Sequence, residues 1–342
     1  CPSGSTANIC ICGGPQLSIQ VNSRSSSAVS VGGTETVDLS KGGPLDTGGN
    51  CSTGRGTDFG VFGGPSTATS TTYPSWLTPT GSKTHYLSHN PPLDDPLKGV
   101  APPTSAGLTD QTSAMPITSG TGTTPGTGDC PSAAAGCQIY KPGLYRNGIG
   151  VKGAGAGAGT IGIFHPGIYF IQGPGSGSFS GVGFGTGANG GMIMCSTTCV
   201  ADTSGCCSAG GMMVYLDTNG GIFSIAANSG ANLLGSDPGS SYKGILFFGA
   251  RDAPTHNSSG SHQFGGGGSL SLQGTIYVTN TKALMLAGTA YQNVRLRGKT
   301  GSNTTIQGEI IVSTLDVGGG GAIQMNLNAN TSYFINQVAL VQ

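Results

Sequence analysis

The chain has 342 residues, of which 64 are Gly and 19 Pro, while Lys, Arg, Asp and Glu together make up only 8%. Its 14 basic and 14 acidic residues cancel to a formal net charge of zero, so there is no basic stripe to neutralise phosphates and nucleic acid is excluded as a partner. Helix formers are scarce and glycine interrupts every apolar 3.6-residue pattern, which excludes a helical fold; no apolar run reaches the roughly eighteen residues of a helical membrane span.

Residues 16–40, QLSIQVNSRSSSAVSVGGTETVDLS, alternate apolar and polar side chains through Leu17, Ile19 and Val21, then through Val29, Val31, Val37 and Leu39. Period two broken by glycine predicts short strands, and the block 1–41 is expected to continue the main body. From 42 to 138 the composition turns to Ser, Thr, Gly and Pro, as in PSTATSTTYPSWLTPTG and TSGTGTTPGTG. That stretch predicts a long ordered surface insertion held by Cys51, Cys130, Cys137 and Trp76. In the body, 139–342, strand-like runs follow at 161–164, 168–171, 192–194, 212–216, 222–226, 244–248, 270–278, 284–286, 294–298, 305–312, 322–327 and 333–341. A Gly, Asn or Pro turn separates each from the next.

Two phrases recur. Pro142-Gly143-Leu144-Tyr145 returns 24 residues later as Pro166-Gly167-Ile168-Tyr169, and Leu272-Gln273-Gly274-Thr275-Ile276-Tyr277-Val278 returns 34 residues later as Ile306-Gln307-Gly308-Glu309-Ile310-Ile311-Val312. Such offsets exceed hairpin spacing and suit the turns of a parallel β-helix, a β-solenoid in which Pro-Gly fixes a corner and the next apolar residues point inward. An antiparallel β-sandwich, also built from many short strands, is the alternative.

The ten cysteines, Cys1, Cys10, Cys12, Cys51, Cys130, Cys137, Cys195, Cys199, Cys206 and Cys207, cluster in polar stretches. Their even number fits disulfides of an exported protein; the alternatives are free thiols or a zinc site formed by CSTTC and GCC, whose spacing is irregular and lacks a nearby histidine. The printed sequence begins at Cys1, which reads as a chain whose export segment has been removed, or as a lipidated cysteine. Sequons at Asn50, Asn257, Asn303 and Asn330 permit glycosylation.

LDDPLKGVAPP at 93–103, then PGLY, PGIY, GMMVYLD, YKGILFFGARDAP, LQGTIYV and a closing ALVQ occur in that order. Together they resemble the exported region of the TadE/TadG-like proteins of tight-adherence, Flp-type pilus systems, over most of residues 15–342. The resemblance implies a bacterial cell-surface, pilus-associated or adhesin-like protein with no assigned catalytic residues. Members of that family carry an N-terminal membrane segment, which this sequence does not show.

Candidates for chemistry are sparse. Only two glutamates occur, Glu35 and Glu309, and Asp94-Asp95 is the one adjacent acidic pair; before Pro96 it reads as a turn more readily than as a calcium site. Arg251-Asp252 reads as an ion pair or corner cap, with a polysaccharide-lyase base and its partner as the catalytic alternative. His85 and His89 lack the shared helix that metal ligands at this spacing need, His165 reads as a surface position, and His256 and His262 as solvated loop residues. GxGxxG matches mean little at this glycine content. No cofactor, metal site or catalytic residue is expected.

The functional expectation is a structural subunit of an extracellular bacterial filament or pilus-associated assembly. It would self-associate head to tail through the uncharged C-terminal run, with Tyr333, Phe334, Ile335, Val338, Leu340 and Val341 as the interface. The alternatives are a monomeric adhesin that presents loops to surface glycans and, further off, a β-helix polysaccharide-active enzyme.

Overall fold

A computed structural model describes residues 9–13, 16–26, 28–31, 36–43, 45–46, 53–64, 74–78, 86–152, 159–187, 189–194, 211–225, 228–236, 241–251, 253, 261–265, 270–279, 293–297, 304–307, 310–319 and 323–327. The protein is all-β. Its strands are β1 (Ile9–Gly13), β2 (Leu17–Val21), β3 (Val29–Val31), β4 (Val37–Asp38), β5 (Asp58–Val61), β6 (Leu77–Thr78) and β7 (Tyr86–Ser88). After a long connection come β8 (Gly136–Tyr140), β9 (Gly143–Tyr145), β10 (Ile149–Val151), β11 (Thr160–Phe164), β12 (Gly167–Ile171), β13 (Val182–Thr186), β14 (Gly191–Met194), β15 (Met212–Leu216) and β16 (Ile222–Ile225). The remainder are β17 (Gly230–Leu234), β18 (Ile245–Gly249), β19 (His262–Gly265), β20 (Leu270–Gln273), β21 (Thr275–Val278), β22 (Asn293–Arg297), β23 (Thr304–Gln307), β24 (Ile310–Val312), β25 (Thr314–Gly318) and β26 (Ile323–Leu327).

Four parallel sheets hold them. The first runs β6-β4-β1-β26-β23-β20-β17-β14-β11-β8, the second β24-β21-β18-β15-β12-β9, the third β10-β13-β16-β19-β22-β25-β3, and a small fourth β2-β5-β7. From β8 onward the chain visits the first, second and third sheets in turn, and each strand pairs with the one three places later. Every ladder among the described strands is parallel, so the antiparallel sandwich is set aside. Ile117 and Ile139 form an isolated antiparallel bridge.

The N-terminal strands lie beyond the C-terminal ones. β1 pairs with β26 on one side and β4 on the other, and β3 pairs with β25. The stretch 42–138 therefore divides. Phe59, Val61, Leu77 and Tyr86 join the main core, while the chain from about 89 to 135 returns along the outside to the opposite end of the stack, where β8 begins.

Inside, register aligns like with like. Tyr169, Val214, Phe247 and Ile276 occupy matching positions on successive rows of the second sheet, all fully buried. Phe247 meets Phe223 at 4.9 Å and Phe264 at 5.1 Å between ring centroids, and Tyr140 stacks on Phe164 at 4.8 Å. Each such ring removed from water contributes about 1.5–3 kcal/mol, and edge-to-face or offset geometry adds about 0.5–1.5 kcal/mol per pair.

The two repeated phrases differ in structural meaning. The later one is a register repeat, because Leu272 faces Ile306 and Ile276 faces Ile310; Gly274 divides it into β20 and β21. The earlier one is not, because Gly143 faces Tyr169 rather than Gly167. What recurs there is a corner. Gly143 and Gly167 take φ of 149° and 134°, which L side chains rarely adopt, and a Cβ on Gly143 would stand 2.4 Å from the Thr109 carbonyl oxygen. The tyrosine two residues later then closes the corner. Tyr145 Oη donates to the Lys141 carbonyl at 2.6 Å, and Tyr169 Oη lies 2.8 Å from that of His165 and 2.9 Å from that of Tyr140.

Candidate functional site: a strap clasped across the second sheet

The second sheet is apolar on both faces. Its outward positions Leu144, Phe170, Tyr215, Phe248, Tyr277 and Ile311 lie in register, with Phe170 5.0 Å from Tyr215 and Phe248 5.0 Å from Tyr277. Such a face needs cover. The returning segment supplies it: Leu97 is fully buried against this column, with Val100 and Leu108 packed beside it.

Polar clasps fix the strap along its course. Near one end the Asn22 side chain both donates to the Leu93 carbonyl at 2.6 Å and accepts from the Leu93 amide at 3.0 Å, and Asn90 Nδ2 donates to Gln20 Oε1 at 2.7 Å.

In the middle, Arg251 Nε lies 3.1 Å from Asp95 Oδ2 and 2.7 Å from Tyr277 Oη, and Tyr277 Oη donates to Asp95 Oδ2 at 2.7 Å. The guanidinium also donates to the carbonyls of Val100, at 3.0 Å, and Leu97, and it lies over the Phe248 and Tyr277 rings. The other Asp95 carboxylate oxygen, Oδ1, accepts from the Leu97 amide at 2.9 Å. A planar five-donor fork is what lets one side chain reach a carboxylate, a phenol and two carbonyls together. Burial, followed by the Asp95 hydrogen bond and charge, holds the Tyr277 phenol well above its usual range, so the hydroxyl remains a donor at neutral pH.

At the far end the strap pairs with edge strands. The Leu144 amide donates to the Thr109 carbonyl at 2.9 Å and its carbonyl accepts from the Gln111 amide at 2.8 Å, Ile117 bonds Ile139 in both directions, and the Cys137 amide donates to the Thr123 carbonyl at 3.0 Å. Arg146 Nε donates to Asp110 Oδ2 at 2.8 Å. Asp110 is drawn down to about 2, first by its hydrogen bonds with Thr112 and then by Arg146. The Cys130–Cys137 disulfide closes this cap. The edges of β8 and β9 are thus covered.

Arg251, expected to pair with its neighbour Asp252, forms an ion pair with Asp95, 156 residues away. Asp252 lies outside the described residues. The Asp94-Asp95 pair is split, Asp95 entering the clasp while exposed Asp94 pairs with Lys98 at 2.8 Å. His262, expected in a solvated loop, is buried at the start of β19, where its Nδ1 accepts from the Phe223 amide at 3.1 Å; inward register with Val294 places it there. His89 is exposed and His165 half-buried. Cys10, Cys12, Cys130 and Cys137 are in disulfides, and no described cysteine is free. Cys1, Cys51, Cys195, Cys199, Cys206, Cys207, the four sequon asparagines, His85, His256 and the C-terminal run from Tyr333 to Val341 lie outside the described residues. Among the described residues no group of three or more His, Cys, Asp or Glu is placed to hold a metal ion, and no helix is long and apolar enough to cross a membrane.

Sequence reasoning missed the clasp because its members are far apart in the chain. The available signal was LDDPL itself, a charged turn flanked by leucines in an otherwise polar stretch. No family model, curated protein or solved structure matches the chain.

Proposed function

We propose that the chain is an extracellular structural subunit, a parallel β-solenoid that associates head to tail in a bacterial surface assembly such as a pilus-associated fibre. The observation that carries this reading is the difference between the two ends of the stack. One end is sealed by the strap pairing with β8 and β9; at the other, the described rows finish on the short strands β6, β7 and β3. A contact between unlike ends is heterologous and repeats without closing, whereas a contact between like ends stops at two copies.

The charged groups described support a mechanical rather than a chemical role. Arg251, Arg146, Arg295 and Arg297 are each engaged with a carboxylate that ties rows or strap together. Disulfides fit an oxidising compartment, and zero net charge removes the repulsion that keeps copies apart. The test is electron microscopy of native material with sedimentation across a dilution series. Filaments that shorten on dilution are expected. Particles that stay monomeric at high concentration overturn self-association and leave the adhesin reading, for which a glycan array is the assay; discrete dimers overturn the head-to-tail mode.

A further inference from the structure

Two arginines share one carboxylate on the outer wall of the third sheet. Along β22, Val294 and Leu296 are buried in the core, so Arg295 and Arg297 alternate outward; along β25, Val317 is buried and Asp316, the register partner of Arg295, faces out. Arg295 Nε lies 3.0 Å from Asp316 Oδ2, Arg297 Nη2 lies 2.8 Å from the same oxygen, and Arg297 Nη1 lies 3.5 Å from Oδ1. Gly318 gives the Arg297 guanidinium its seat, since a Cβ there would stand 2.2 Å from Nη1. One negative charge thus orients two positive ones, and a positive charge is left over. In the other described ion pairs, Lys98 with Asp94, Arg146 with Asp110 and Arg251 with Asp95, one cation meets one carboxylate.

The surplus is accessible. Asp316 is only 17% exposed and has both oxygens engaged, whereas the Arg295 side chain is 45% exposed and reaches Asp316 through Nε alone. Its two terminal nitrogens form the open end of a planar fork. They lie in a line rather than a hollow: Ser224, Gln263, Arg295, Asp316 and Ser30 are register partners on five successive strands, which makes an outward row about 19 Å long at about 4.8 Å per strand. All five are polar, and all are half-buried or exposed.

We propose that this wall binds a carboxylate-bearing polysaccharide laid across the strands, with Arg295 taking a uronic-acid carboxylate and Gln263, Ser224 and Ser30 meeting the hydroxyls of the same chain. A guanidinium fork matches a carboxylate bidentately, and the positive surplus selects an anionic ligand over a neutral one. An extended polar row suits a linear chain of hydroxyls. A compact anion would call for an enclosing pocket, and a protein partner for an apolar centre to the contact. Two cations are too few for nucleic acid, whose affinity rests on neutralising many phosphates. The inference goes beyond the filament reading and does not rest on it, because a head-to-tail fibre leaves the sides of the stack as open as a monomer does.

Retention of the intact chain on immobilised polygalacturonate, with neutral dextran and dextran sulfate as comparisons, tests it. Retention on polygalacturonate above that on dextran, weakening as salt rises, is expected. Arg295→Gln should weaken it about tenfold, Arg295→Lys should recover only part of the loss because it restores the charge without the fork, and Arg146→Gln, at a paired arginine outside this wall, should leave it unchanged. Hydrogen exchange at 294–296 and 315–317 is expected to stay native in Arg295→Gln; if it does not, Gln263→Ala in the next row takes its place, with the same direction of effect expected. Equal retention on polygalacturonate and dextran, no retention at low salt, or retention indifferent to both substitutions overturns the proposal. Retention on dextran sulfate alone overturns it too, because charge without carboxylate geometry then suffices. Sedimentation reads the filament hypothesis separately.

Discussion

Tyr145 and Tyr169 stack with ring centroids 5.9 Å apart, and each hydroxyl reaches back to the carbonyl that precedes a Pro-Gly corner. A strand that ends at a tight corner leaves a carbonyl turned away from any ladder, and the phenol satisfies it without water. Tyr169→Phe removes the donor from two carbonyls at a fully buried site. A loss of about 1–3 kcal/mol is expected, measured by urea denaturation with unchanged m-value.

The Arg251 clasp makes a sharper case. With side chains only 17% and 12% exposed, Arg251 and Asp95 cannot be separated cheaply, and Asp95→Asn or Arg251→Met is expected to cost about 3 kcal/mol. Arg251→Lys should not restore it, since a point charge cannot reach Asp95, Tyr277 and two carbonyls at once. The diagnostic is local: hydrogen exchange should rise at 93–108 before it rises in β15 and β18.

Gly143→Ala tests the seal of the β9 edge. The new methyl group meets the Thr109 oxygen in a backbone conformation that disfavours side chains, so a loss of about 1–3 kcal/mol is expected, with faster exchange at 109–111. An equal effect spread over all rows would contradict this assignment.

Alkaline titration follows from the buried phenols. Burial pushes Tyr86 up to about 12; Tyr215 is raised to about 12 as well, by burial first and then by the Asp217 charge. Tyr140, Tyr145 and Tyr169 are raised further in the same direction. Because the folded values lie above the unfolded value near 10, these groups stabilise the fold fully below that pH and cease to do so as pH climbs through the folded values. Tyrosinate absorbance should therefore lag behind that of free tyrosine and then rise together with loss of the fold. At the acid end, Asp110 at about 2 contributes stability above about pH 4 that is lost as pH falls toward its folded value, read as release of the cap at 109–123.

Much of the β content was legible because alternation and glycine punctuation are local properties. Runs such as 212–216 and 222–226 fall on β15 and β16. The repeat at offset 34 even carried the register. The offset of 24 carried the register of β8 and β11 but not that of β9 and β12, where partners lie 26 apart and the recurring phrase records shared corner chemistry. The stretch 42–138 misled by composition: Phe59 and Val61 are few among many threonines, yet burial against β2 needs only one inward residue in two. The Asp95 clasp and the row order were beyond local reading, since both depend on a return path that joins residues more than 150 positions apart.

The stacking of β1 against β26 has a kinetic corollary. β1 is synthesised before β26 and has no finished row on that side to settle on until residues 323–327 have emerged, so the order of synthesis is not the order of assembly. Such remote pairing gives high contact order and slow maturation, with unpaired strand edges exposed in the interval.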